Sequence, residues 1–136
     1  MNKAKALTAY LAGRQPAPFD WHTNNCGHFA CSFVQQVEGF DPLASLPLTD
    51  SMAGTRAFIA EAGGMAELVT RQLAREPISP KLAQLGDMVL LPLSTTDPEA
   101  LALGLCCGEQ AVILTDTGVH AFVPMSAAVS AWRVGA

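Results

Sequence analysis

Apolar residues recur at helical spacing through the first half of the chain and at strand spacing through the second. Around Cys26 they fall at Phe29, Ala30, Phe33, Val34 and Val37, with Gln35, Gln36 and Glu38 on the other side. That is one face of a 3.6-residue period, which predicts a buried helix from Cys26 that ends at Gly39. Ala4, Leu7 and Leu11 mark an amphipathic opening helix over 1–13. A capping cluster, Thr49-Asp50-Ser51, predicts a further helix that buries Met52, Thr55, Phe58, Ile59 and Ala62 and stops at Gly63-Gly64. Met65, Leu68, Val69 and Leu73 describe a short helix after it. Beyond Pro80 the period changes. Met88–Leu93, Leu101–Cys107, Gln110–Leu114 and Val119–Val123 read as strands separated by turns such as Gly108-Glu109. Ser126–Ala131 reads as a helical turn and Trp132-Arg133-Val134 as a closing strand.

Strands joined by such short turns must be antiparallel neighbours. Helices first and a meander second predict an α+β fold, with the N-terminal helices on one face of a C-terminal sheet. At 136 residues the chain is expected to be one domain, 1–136. Half of its residues are hydrophobic and 15% charged, which describes a packed chain rather than a disordered one. A net charge of −4 without any basic run argues against nucleic acid as a partner. The start of the chain reads as a helix, not a secretory signal, and no apolar run approaches the roughly 20 residues of a membrane span. Synthesis in a reducing cytoplasm is the expectation.

The four cysteines form neither a disulfide framework nor a zinc pattern. Cys26 and Cys31 are offset on a helix, and Cys106 and Cys107 would point to opposite faces of a strand. No metal or cofactor is expected, and Cys31, Cys106 and Cys107 read as inert thiols. Cys26 differs. Thr23, Asn24 and Asn25 precede it, residue types that cap a helix, and a thiol in the first turn meets the positive end of the helix dipole. That setting favours thiolate, as a cysteine nucleophile requires. The candidate bases are His120, in the fourth predicted strand, and His22, in the loop before the helix. His28 stands roughly 200° around the helix from Cys26 and points away. Asp20 and Asp87 are candidates to orient a histidine, although Asp87 better fits the turn before its strand. Phe19, Trp21 and Trp132 read as core, and Leu43, Leu46 and Leu48 as a partner patch if exposed.

Asn25-Cys26-Gly27-His28-Phe29, followed by Gly86-Asp87-Met88-Val89-Leu90 and, more weakly, Leu103–Gly108, resembles the NlpC-type cell-wall peptidases. These are papain-like cysteine enzymes that cut peptidoglycan stem peptides. The chain also resembles, over roughly residues 4 to 134, a family of short phage and prophage proteins. The shared features are the Phe-x-Trp-x-x-x-x-Cys block at Phe19–Cys26, the Gly-Asp strand, Phe122-Val123-Pro124 and Ala131-Trp132-Arg133-Val134. Such proteins are similar to small peptidase-like members of long-tailed phage tail modules. The resemblance implies a papain-like fold and a Cys26 nucleophile. It also implies a histidine at the start of the second meander strand, where this chain has Ala102 or a close neighbour. Asn25 replaces the usual acidic residue, and the polar third member would fall near Gln110. The expected function is therefore a phage tail-tip or baseplate component with a degenerate peptidase-like fold, held by other tail proteins in the virion. The alternative is an active cysteine peptidase or amidase on peptidoglycan, with Cys26 attacking and His120 or His22 accepting the proton.

Overall fold

The computed structural model describes residues 3–13, 26–43, 52–92, 96, 101–115 and 120–135, without the side chains at 26, 27, 52, 53, 55 and 56. Four helices lead: α1 (Lys3–Gly13), α2 (Cys26–Glu38), α3 (Met52–Glu61) and α4 (Met65–Leu73). Helix α2 is central because its apolar stripe is complete. Phe29, Ala30, Phe33 and Val34 are fully buried, Val37 packs against the same core, and Gln35 and Gln36 face solvent. Gly39 ends the helix at φ 83°, its N–H donating to the Gln35 carbonyl at 2.9 Å. On α1 the buried stripe is Ala6, Leu7 and Tyr10, one position round from the expected Ala4–Leu7–Leu11 line. The anchor that turns it is polar: the Tyr10 hydroxyl donates to the Phe29 carbonyl at 2.6 Å in the interior.

The sheet comprises β1 (Met88–Pro92), β2 (Leu101–Cys106), β3 (Gln110–Leu114), β4 (His120–Pro124) and β5 (Ser130–Trp132), all antiparallel. Its order is β4-β3-β2-β1-β5, so a four-stranded meander is flanked on its β1 side by the last strand. The closing strand therefore exists, but it begins at Ser130 rather than Trp132. The helical turn before it is a short 3-10 turn at Met125–Ala127. Arg133 and Val134 are drawn out of the ladder by polar partners described below.

Alternation sorts the strand residues into two cores. Leu90, Leu103, Leu105, Val112 and Leu114 join α1, α2 and α4 on the helical face. Val89, Leu91, Ala102, Cys106, Ala111, Ile113 and Ala131 form a second core on the other face. Helices α1, α2 and α4 pack on a single face of the sheet, but the second face is also covered. Ile78, Ala83, Met125 and Ala128 lie over it. This explains why β1 reads as a continuous apolar run, as strands buried on both faces do. The small residues of β2, Ala102, Gly104 and Cys106, all belong to this thinner side. A Cβ on Gly104 would come within 2.5 Å of the Val112 carbonyl oxygen and 2.8 Å of Ile113.

Two ionic groups, one fully buried and one partly, tie the ends of the chain to the middle. Asp87 is fully buried, and its Oδ1 accepts from Lys3 Nζ at 2.6 Å and from Val134 N–H at 3.0 Å. Its Oδ2 accepts from Gln84 N–H at 2.8 Å. Lys3 also donates to the Val134 carbonyl at 2.7 Å. Beside it Arg75 grips Glu38 with two bonds of 2.8 Å and donates to the Arg133 carbonyl at 2.6 Å, while Gly135 N–H donates to Glu38. The Arg75 fork holds the Glu38 carboxyl below the usual glutamate range, against the opposing effect of burial.

Candidate functional site

The first turn of α2 begins at Cys26, where the sequence pattern placed it. Three residues on, Phe29 lies fully buried beneath the sheet. An α-helix advances about 1.5 Å per residue, so the Cys26 backbone lies about 4.5 Å along the axis from that of Phe29. Against the Phe29 ring lies the imidazole of His120, with ring centroids 5.1 Å apart and planes inclined at 51°. The structure thus brings His120 to the N-terminal end of α2. The hairpin register does this: Leu114 pairs with His120, and Leu114 belongs to the helix-facing core. Tyr10 completes the cluster, its ring 5.7 Å from Phe29 and 5.3 Å from Phe33. An aromatic file of His120, Phe29, Tyr10 and Phe33 therefore runs from β4 into the interior.

The position that the resemblance reserves for a base is occupied differently. Ala102 lies in the second core, away from the helices. Its neighbours Leu101 and Leu103 face the α2 side and pack there as hydrocarbon. Gln110 opens β3, at the place where the resemblance puts a polar third member. It pairs with Pro124, at the opposite end of β3 and β4 from the Leu114–His120 pair. Continuing the β2–β3 register, which sets Leu105 opposite Val112, places Leu114 beside Leu103. The start of β2 thus meets the end of β3, and a third polar member there would have to replace Leu114 or its neighbour.

Asp87 orients the turn before β1 and binds the chain ends, as its hydrogen bonds show; the Gly-Asp motif is architectural here. Cys106 and Cys107 do face opposite cores, and burial pushes both thiols up from the ordinary cysteine value. Cys31 and Cys106 are buried and Cys107 is half-buried. His28 is half-buried, with Nδ1 in the interior. Trp132 is core as expected, its indole N–H donating to the Thr70 hydroxyl at 3.1 Å. Leu43, a candidate for a partner patch if exposed, is partly buried and packs against the main core. His22, Asp20, Phe19, Trp21, Leu46 and Leu48 lie outside the described residues. Among the described residues no three His, Cys, Asp or Glu side chains are grouped to hold a metal.

The contact that sequence reasoning missed is the Phe29–His120 pair. Its signal was strand parity, since His120 shares a face with Leu114 once the hairpin is paired. With this geometry in view, residues 2–134 match a family described as a domain of unknown function, DUF6950. The chain belongs to the DUF6950 family. No curated protein matches it. For this DUF6950 chain, no described helix is long and apolar enough to cross a membrane.

Proposed function

We propose that the protein is a component of a phage tail tip or baseplate, built on a papain-like scaffold whose hydrolytic site has been retired. The observation that carries the reading is the pair Leu101 and Leu103. They fill the helix-facing start of β2, where the resemblance to NlpC-type peptidases expects an imidazole. A cysteine without a general base forgoes roughly 10²–10⁴ in rate. Hydrocarbon at that place also excludes the water that deacylation needs. What remains is a helix N-terminus against a rigid sheet, suited to being held by neighbouring tail proteins. The test is incubation of wild-type protein and Cys26→Ser with purified peptidoglycan, together with phage production using each form. Both forms should release no stem peptide, and Cys26→Ser should leave particle yield and infectivity unchanged. Release of peptide by the wild type that Cys26→Ser abolishes would overturn the proposal.

One observation favours the active reading, a cysteine peptidase or amidase on peptidoglycan: the contact between His120 and Phe29. In that scheme the His120 imidazole takes the Cys26 proton, and backbone N–H groups at the start of α2 hold the oxyanion. It requires that iodoacetamide alkylate Cys26 readily near neutral pH, and that His120→Ala slow the reaction about tenfold or more. Equal alkylation rates for the wild type and His120→Ala would remove it.

A further inference from the structure

The two edges of the sheet are finished differently. At β5, Ile78 closes the edge: its N–H donates to the Ala131 carbonyl at 2.7 Å and its carbonyl accepts from Ala131 N–H at 3.2 Å. At β4 no described residue plays that part. The ladder itself shows which groups are left outward. Met125 N–H donates to the Glu109 carbonyl at 2.9 Å, so Glu109 and Met125 form a hydrogen-bonded pair. Such pairs alternate along an antiparallel ladder, which makes Ala111–Val123 and Ile113–Ala121 bonded and Val112–Phe122 non-bonded. The N–H and carbonyl of Phe122 therefore point away from β3. Pro124 adds an outward carbonyl and has no N–H. The Phe122 side chain is 55% exposed on the same strand.

We propose that the β4 edge is the interface between two copies of this chain, joined antiparallel about Phe122 into a continuous ten-stranded sheet. A donor and an acceptor at strand spacing fit an extended backbone. A two-fold axis at Phe122 makes the fit self-complementary, with each Phe122 N–H donating to the other copy's Phe122 carbonyl. Charge permits it. The chain carries −4, which repels a second copy in general, yet His120-Ala121-Phe122-Val123-Pro124 contains no Asp, Glu, Lys or Arg. Edge strands are ordinarily protected by such charges. The symmetric pair also sets the two exposed phenyl rings side by side, removing apolar surface from water. The area buried by one pair of five-residue strands falls below the roughly 1,200–2,000 Å² of a stable complex. The dimer therefore belongs to the weak class, dissociating in the micromolar range.

Sedimentation of the full chain from about 1 μM to 1 mM tests this, with amide hydrogen exchange at both ends of the range. The wild type should pass from monomer to dimer, and the Phe122 amide should become protected only at the high end. Phe122→Lys places a charge on the edge and should hold the protein monomeric. Phe122→Pro removes the outward N–H together with the exposed phenyl ring, leaves the β3 ladder bonds in place, and should do the same with its circular dichroism unchanged. Val129→Lys, at an exposed apolar residue away from β4, should dimerise like the wild type. A wild type that stays monomeric at about 1 mM, or a Phe122→Lys protein that dimerises as well as the wild type, overturns the proposal. So does protection of the Phe122 amide that is independent of concentration.

Discussion

Glu38 shows how a surface-looking residue acquires a structural role. It is the last residue of a helix whose outer face is otherwise neutral glutamine. Arg75 reaches it from 37 positions away, with a fork of two 2.8 Å bonds. Because the folded-state carboxyl lies below its ordinary value, chiefly through that hydrogen bond, ionised Glu38 favours the folded state. Its contribution is fully present above the unfolded glutamate value of about 4.3 and disappears as pH falls through the folded value. Glu38→Gln should therefore lower the urea midpoint at pH 6, and the gap to the wild type should close below about pH 4. Urea titrations at pH 3, 4, 5 and 6 check this. A gap that is constant with pH would mean that Glu38 acts by packing. The same scale holds the lesson of His120. Its residue type marked it as a candidate, but its address against Phe29 depends on its pairing with Leu114 across the β3–β4 hairpin.

Among the elements, α4 shows local sequence and tertiary demand in partial conflict. Leu68, Val69 and Leu73 make its buried stripe, and the stop comes at Ala74, which sits in the left-handed region at φ 54°. Glycine occupies the other positive-φ positions described, including Gly39 after α2 and Gly63 after α3. An alanine in this conformation costs roughly 1–2 kcal/mol, while glycine loses about 0.4–1 kcal/mol more on ordering. Ala74→Gly should thus stabilise the fold by up to about 1.6 kcal/mol, measured by reversible urea denaturation. A destabilised variant would show that the Ala74 methyl group makes a contact worth more than the strain. Helix α4 needs an abrupt end because Arg75, next in the chain, must turn back to Glu38 and the Arg133 carbonyl.

In the whole molecule, Asp87 joins parts that are remote in sequence: the start of α1 through Lys3, the turn at Gln84, and the last residues through Val134. Breaking a buried ion pair by removing one partner typically costs about 3–5 kcal/mol, because the other is left uncompensated. Asp87→Ala should cost on that order, and Lys3→Met should also destabilise. The double variant should lose much less than the sum, since the two residues serve one interaction. Denaturation of the four proteins gives the coupling directly. Additive losses would mean that Asp87 acts not through Lys3 but through the Gln84 and Val134 amides and Arg133, whose Nε lies 3.7 Å from Oδ2.

The pattern along the chain was enough for the elements, because burial imposes a period of 3.6 or 2 on whichever residues face the core. Phe29, Phe33 and Val34 announced α2, Gly39 its end, and Gln110–Leu114 a strand with those limits. The α+β class followed from turns too short for any but antiparallel neighbours. The pattern could not show where those elements meet, since each such fact depends on residues far apart in sequence. β5 lies beside β1 because Met88 and Trp132 pair across the sheet. Leu101 and Leu103, not Ala102, face α2 because of the pleat. The β5 edge is closed because Ile78, far earlier in the chain, bridges Ala131. Periodicity is a local consequence of burial and is written in neighbouring residues. Pairing and juxtaposition are settled only when the two cores close on the same sheet.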